Sequence, residues 1–420
     1  MVEEHPFPLT ANQVQSCLYW ASQSAIISFL FHELMVGSWP SSKGPFGPAA
    51  GQDATVYEVI LYTQIVRTCR DGLLCYLSSM STSMKAVGYR EPLPIDHPDS
   101  LLDIIVPVPE PTSRDLLVQV KAVSVNPVDT KVRRRSKPEA DAYKILGWDA
   151  AGVVIRVGSE VTSFREGDEV YYAGSLVRPG TNAELHLVDE RIVAAKPKTL
   201  DFVSAAALPL TTITAWELLF DRFRVLPGKA GDAGHLLIIG AAGGVGSMLI
   251  QLASRLTTLT VIATASREQT RRWCLNLGAH QVIDHSQPIV QQLHAIGIQS
   301  VEYIAGINAT ETHYAAIVEA LSPQGHFGLI DDPKTLDVTP LKEKSATVHW
   351  EFMFTRSLFQ TADIAAQGKL LSDAASLIDS GLIKTTATTA LGSINAENLK
   401  KAHAGIESGR THGKVVLAGF

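Results

Sequence analysis

The stretch that most constrains the fold is residues 235–246, His-Leu-Leu-Ile-Ile-Gly-Ala-Ala-Gly-Gly-Val-Gly. Leu236 to Ile239 form the short apolar run expected of a central parallel strand covered on both faces. Gly240, Gly243, Gly244 and Gly246 follow, and missing side chains there let the backbone turn, let a pyrophosphate reach the amides and let a helix pack close to the sheet. The N-terminus of that helix would turn unpaired N–H groups and a positive dipole end toward the phosphates. Ala241 replaces the first glycine of G-x-G-x-x-G, leaving Ala241-x-Gly243-x-x-Gly246. An ordinary tight turn can look the same, so the flanking sequence decides.

It alternates. A helical pattern over Ser247 to Leu256 is followed by a β-rich run over Leu259 to Ala265, then a helix from about Arg267 closed by Gly278. Strand Gln281 to Asp284, helix Val290 to Ile296, strand Val301 to Ile307, helix Glu311 to Leu321 and strand Phe327 to Asp331 complete the series. The pattern predicts a doubly wound parallel sheet that binds a dinucleotide. An NAD site places a carboxylate at the end of the second strand to hold the ribose 2′-hydroxyl. Here that end reads Thr264-Ala265-Ser266-Arg267, with Arg271 and Arg272 one helical turn on, which suits a 2′-phosphate and favours NADPH. The plainer alternative is that Ser266 caps a helix and the arginines form a solvated face.

At 420 residues the chain has room for two or three domains, and its net charge of −6 recommends neither nucleic acid nor an anionic membrane as partner. The four cysteines, Cys17, Cys69, Cys75 and Cys274, show no metal-ligand spacing and fit a reducing, cytoplasmic setting. The apolar stretch Leu18 to Phe31 is too short and too interrupted to span a bilayer. Residues 1–83 carry no legible chemistry; they are expected to be a poorly ordered extension, residues ahead of a natural start at Met84, or a docking element. From Met84 onward, β patterns over Asp115 to Ser124, Gly147 to Gly158 and Arg165 to Tyr172 are punctuated by glycine and proline, as in a compact barrel or sandwich. Near Ser204 the pattern turns helical and leads into the dinucleotide unit.

The order of elements, with Ser124-Val-Asn-Pro-Val-Asp129, Gly147-Trp-Asp-Ala-Ala-Gly152, Pro209-Leu-Thr-Thr-Ile-Thr-Ala-Trp216 and the glycine turn, resembles the medium-chain dehydrogenase/reductase superfamily. Within it the chain is most similar to the quinone oxidoreductase side and the zinc-type alcohol dehydrogenase-like proteins. The resemblance implies an α/β fold in which a GroES-like, β-rich catalytic domain (84–210 and 356–420) receives an inserted Rossmann domain (211–355), with the active site in the cleft. It also implies that Asn126 stands where zinc-dependent members carry a cysteine, and Trp148 where they carry a histidine. Asp129 and Asp149 alone do not provide a catalytic zinc site, so no metal is expected. Without a Lewis acid, a conjugated acceptor is the easier substrate, because its negative charge spreads onto an oxygen that hydrogen-bond donors can hold. The expected activity is zinc-independent, NADPH-dependent reduction of quinones or α,β-unsaturated carbonyls, small molecules both. An alcohol or aldehyde oxidoreductase and a non-catalytic NADPH-binding protein remain open, as does a homodimer formed through edge strands.

By the same resemblance Asn126 faces the nicotinamide or substrate, Thr214 touches the nicotinamide riboside and Val245 presses on the ring. A turn asparagine before Pro127 and a helix-start hydroxyl are the plainer readings of the first two. Ala241, Gly243, Gly244 and Gly246 hold the pyrophosphate, and Ser266, Arg267 and Arg271 the 2′-phosphate. Tyr172 offers a phenolic proton unless it is core. Trp350 to Arg356 lines the pocket or is core, and Lys414 approaches a cofactor phosphate or is a surface lysine. His280, His285, His294 and His313 are read as solvated.

Overall fold

The computed structural model describes residues 82–139, 142–228 and 234–420. The expectations for residues 1–81, including the Leu18 to Phe31 run and Cys17, Cys69 and Cys75, lie outside the described residues.

In chain order, the first elements are β1 (Ser83–Tyr89), β2 (Leu102–Pro107), β3 (Asp115–Val125), α1 (Pro127–Arg135), β4 (Lys144–Ile145), β5 (Asp149–Val157), β6 (Glu169–Ala173), β7 (Leu185–Asp189) and β8 (Val193–Ala195). Then come α2 (Phe202–Ala206), α3 (Pro209–Trp216), β9 (His235–Ile239), α4 (Gly244–Leu256), β10 (Thr260–Thr264), α5 (Glu268–Leu277), β11 (Gln281–Ile283) and α6 (Ile289–Ala295). The chain continues through β12 (Val301–Gly306), α7 (Thr310–Ala320), β13 (Leu321–Leu329), β14 (Thr347–Trp350), α8 (Thr355–Phe359), α9 (Ala365–Asp379), β15 (Ala387–Ala390), α10 (Ala396–Glu407) and β16 (Lys414–Ala418). No described helix is long and apolar enough to cross a membrane.

The glycine turn organises a six-stranded parallel sheet in the order β11-β10-β9-β12-β13-β14. That order reverses direction at β9, and such a switch point opens a crevice beyond the carboxyl ends of the strands. β9 lies centrally, with Leu236 to Ile239 buried as their apolar run requires. Helix α4 starts at Gly244 instead of Ser247, because Gly243 already takes the N-cap position. β13 begins at Leu321, six residues ahead of the predicted Phe327, and a register shift between Val301 and Tyr303 accommodates the longer pairing. Asp331 falls beyond that strand, where its carboxylate accepts Thr310 N at 2.8 Å and Thr310 Oγ1 at 2.6 Å at the start of α7.

The β-rich part is a seven-stranded sheet ordered β15-β16-β3-β5-β6-β8, with β7 paired to β3, beside a smaller sheet ordered β2-β1-β4. These are the GroES-like and Rossmann-type components of the predicted α/β fold. The chain returns from the parallel sheet to lay β16 antiparallel along β3, pairing Val415 with Val125 and Val416 with Ser124. Just before β16, Gly413 N donates to Ala242 O at 2.9 Å, so the last strand is tied to the glycine turn itself.

Helix α10 packs on α1, the helix that follows Asn126, and its His403 is fully buried there with both ring nitrogens lacking a hydrogen-bond partner. Burial, aided by the Arg133 charge, pushes the imidazole down to about 3. Above about pH 6.5 neither folded nor unfolded chain charges this ring. As pH falls below that, the unfolded chain takes up a proton that the folded chain refuses, so stability is lost on the acid side. His403→Leu should therefore gain on the wild type by on the order of 3 kcal/mol between pH 7 and pH 4 in urea unfolding. A constant difference across that range would refute the assignment.

Candidate functional site

Between the glycine turn and the β-rich sheet lies a cleft of about 610 Å³. Asn126, Thr214, Gly243, Gly244, Val245, Ser266, Arg267 and Lys414 all line it. Tyr172, Ala241, Gly246 and Arg271 lie outside that lining.

The glycines divide by what they are for. Gly240 sits at φ +84°, so the left-handed residue of the turn falls one place early and Ala241 needs no glycine freedom. A Cβ on Gly246 would strike the Ala241 backbone, so this glycine lets α4 pack on the strand end. A Cβ on Gly244 would come within 2.8 Å of both Thr211 Cγ2 and Lys414 Cδ. Gly243 is different. Its φ of −71° and ψ of 178° are open to any residue, and its Cβ would meet nothing nearer than Gly240 O at 3.6 Å. Nothing at the Cβ position requires a glycine there, and leaving the side chain out keeps the approach to the α4 N-terminus open from the cleft. The residues present fit a dinucleotide pyrophosphate.

At the end of β10, Ser266 and Arg267 line the cleft, and Arg267 Nη1 donates to Arg410 O at 2.9 Å. Arg271 instead turns onto the sheet, donating from Nη2 to Val282 O at 3.1 Å, and Arg272 pairs with Glu268 at 2.6 Å on the surface. Only Arg267 of the three is thus placed to meet a phosphate in the cleft. His285 and His313, read from sequence as solvated, line it too, with ring centroids 6.0 Å apart. The signal that could have found them is their place just past the end of β11 and within the first turn of α7, where a parallel sheet gathers its ligand-binding loops.

Tyr172 lies in the β-rich core. Its hydroxyl meets His186 Nδ1 at 3.0 Å, the two rings stack at 5.5 Å, and burial pushes the phenol far above its ordinary range. Thr214 donates from Oγ1 to Leu210 O at 2.8 Å, one helical turn back, which leaves its oxygen able to accept from a ligand.

The segment 350–356 proves to be both pocket and core. Glu351, Phe352, Met353 and Phe354 line the cleft, while the Glu351 carboxylate accepts Arg222 Nε at 2.8 Å in the buried region behind it. Burial, then the neighbouring Glu217 carboxylate, pushes the Glu351 carboxyl well above the usual range. Arg356 fastens the segment by pairing with Glu217, with Asp221 at 3.0 Å and with Asp363 at 2.9 Å. Glu217 to Arg222 continue α3 as a turn of π-helix, so this anchor lies on the helix that carries Thr214.

Lys414 is neither on the surface nor free for a phosphate. Its side chain is 3% exposed, and Nζ donates to Asn126 Oδ1, to Asp149 Oδ2 at 3.0 Å and to Val125 O at 3.1 Å, which uses all three ammonium hydrogens. Asp149 also accepts Ser124 Oγ at 2.8 Å, Asn126 Nδ2 at 2.8 Å and Leu210 N at 2.7 Å. Asp129 accepts Asn126 N at 2.7 Å, and burial raises its carboxyl to about 7 against the opposing pull of that hydrogen bond. A catalytic zinc needs three thiolate, imidazole or carboxylate ligands and an open position. Asn126 and Trp148 are not such ligands, and Asp149 is taken by an ammonium, so the residues do not fit the metal. Among the described residues no three His, Cys, Asp or Glu side chains are grouped to hold one.

A doubly wound sheet with a dinucleotide cradle, facing a GroES-like sheet across a cleft, defines the class of nicotinamide-dependent oxidoreductases. The description "Alcohol dehydrogenase GroES-like domain" matches residues 112–198, and "Zinc-binding dehydrogenase" matches residues 277–417. A zinc-type alcohol dehydrogenase-like protein of Staphylococcus epidermidis is 38% identical over 336 residues, covering 80% of this chain and 99% of its own. A solved protein of Rhizobium etli CFN 42, named as a candidate zinc-dependent alcohol dehydrogenase, is 55% identical with TM-score 0.77, covering 81% of this chain and 99% of its own. An NADPH-dependent alkenal/one oxidoreductase of Arabidopsis thaliana is 37% identical over 200 residues, 46% of this chain and 50% of that one. The chain belongs to the medium-chain dehydrogenase/reductase superfamily, in the branch of the zinc-type alcohol dehydrogenase-like proteins and quinone oxidoreductases.

Proposed function

We propose that the protein is a zinc-independent, NADPH-dependent reductase of quinones or α,β-unsaturated carbonyls. The observation that carries this reading is the Lys414–Asp149 pair with Asn126, an ammonium-centred cluster in the cleft region where zinc-dependent members of the family hold their metal. When bound, NADPH supplies a hydride. The amides of Gly244 and Val245 would hold its pyrophosphate, the Gly243 amide being engaged with Gly240 O, and Ser266 and Arg267 would hold its 2′-phosphate. Thr214 Oγ1 accepts from the riboside, and Val245 presses on the nicotinamide. Leu176, Phe352, Met353 and Phe354 supply an apolar wall that excludes water and holds a planar acceptor. Asn126 donates to the acceptor oxygen as negative charge gathers there. The NADPH-dependent alkenal/one oxidoreductase of Arabidopsis, similar over 46% of this chain, supports the coenzyme and the acceptor class of the reading. The proposed setting is the cytoplasm, and the proposed assembly is a homodimer through the outer edge of β14, where Trp350 is 56% exposed.

Full-length protein should be assayed with NADPH and with NADH against a naphthoquinone, a linear enone and a simple aldehyde. Turnover of the quinone or the enone is expected, with kcat/KM at least about tenfold higher for NADPH, and little reduction of the aldehyde. Efficient aldehyde reduction or alcohol oxidation would favour an alcohol dehydrogenase. Thermal stabilisation by NADPH without turnover on any acceptor would favour a binding protein.

A further inference from the structure

The amide of Asn126 has one orientation available to it. Its oxygen accepts from the Lys414 ammonium, and its nitrogen donates to Asp149 Oδ2 at 2.8 Å. Turned over, it would set an NH2 group against an ammonium and a carbonyl oxygen against a carboxylate, two repulsive contacts in a region where Asn126 is 1% exposed and Asp149 0%. One of the two Nδ2 hydrogens is spent on Asp149; the other has no acceptor among the described residues, and Asn126 lines the cleft beside Thr214 and Gly243. The sheet supplies the lock. β16 runs against β3, so Lys414 at the head of β16 sits beside Val125 and Asn126 at the end of β3, and Asp149 opposes Ser124 on the next strand.

We infer that Lys414 and Asp149 are positioning residues that fix the Asn126 amide so that its free N–H meets the oxygen of the acceptor. The inference rests on the reductase reading above and deepens it by naming what aims the oxyanion donor. A preoriented donor costs no reorganisation when charge develops, so its effect falls on kcat more than on ground-state binding. The ammonium keeps the donor aimed and does not bind the nucleotide.

The test uses the full chain and two variants. Lys414→Met combined with Asp149→Asn removes both charges together, leaving no buried ion unpaired. Asn126→Leu removes the donor itself. NADPH affinity is read by cofactor fluorescence, kcat on a linear enone, and affinity for the corresponding saturated ketone, which cannot accept hydride by conjugate addition, in the presence of NADP⁺. Both variants should bind NADPH within about threefold of wild type, bind the ketone several-fold more weakly and lose about 100-fold in kcat. Wild-type kcat and ketone affinity in the folded double variant would overturn the inference. So would a loss of NADPH affinity as large as the loss in kcat, which would return Lys414 to a cofactor phosphate. If the wild type reduces no enone but ketone affinity still falls in both variants with NADPH binding intact, the positioning role stands and the reductase reading fails.

Discussion

Gly243→Val should abolish cofactor binding in a chain that still folds. The backbone at Gly243 has φ −71° and ψ 178°, which valine adopts without strain, and the nearest atom to an added Cβ is 3.6 Å away. A side chain whose Cβ meets no crowded atom changes stability by about 1 kcal/mol or less, so the thermal midpoint should move by no more than about 4 °C. The new side chain would fill the space in front of the α4 amides, holding a pyrophosphate off its donors. An offset of about 1 Å in such a site costs on the order of 100-fold, and the expected loss in kcat/KM for NADPH is at least that large. Gly246→Val serves as contrast: its Cβ falls on the Ala241 backbone, so it should lose fold and binding together. A Gly243→Val protein that binds NADPH normally would mean that the glycine turn is not the phosphate site.

Ser266→Asp should reverse the coenzyme preference. Ser266 stands two residues past the end of β10 and lines the cleft with Arg267. Aspartate there would repel the 2′-phosphate of NADPH and compete for Arg267, while offering the ribose 2′-hydroxyl of NADH the acceptor it lacks in the wild type. Losing a charge-assisted hydrogen bond costs about 1.5–3 kcal/mol, and like-charge repulsion adds to it. The ratio of kcat/KM for NADPH to that for NADH should therefore fall by roughly 100-fold or more. Arg271→Ala should change the ratio little, because that guanidinium is engaged with Val282 O on the sheet. A ratio unmoved by Ser266→Asp would leave Ser266 as no more than a residue at the start of a helix.

The parallel sheet was legible because its signals are local: an apolar run, a glycine turn and helical periods recur within each strand–helix unit. Even the irregular Ala241 has a local reason, the left-handed Gly240 beside it. The cluster around Lys414 was not legible. Its partners Asn126 and Asp149 lie 288 and 265 positions earlier, and only the return of β16 along β3 brings them together. A lysine in an alternating strand gives no sign of which face it takes until its neighbours are known. Tyr172 misled for a related reason: the partner that meets its hydroxyl, His186, sits on β7, a strand paired to β3 and not to β6, and no local pattern announces it. His285 and His313 entered the cleft through strand ends and helix starts, where spacing says little and topology says much.

Whether an amide and an ammonium stand in for a metal is decided by zinc content measured on the same protein sample whose NADPH-dependent enone reduction is being followed. Full turnover is expected in protein with less than about 0.1 zinc per chain, unchanged after exhaustive chelation and not raised by added Zn²⁺. Near-stoichiometric zinc whose removal abolishes activity, and whose return restores it, would mean that a metal and not the Lys414 cluster supports the chemistry.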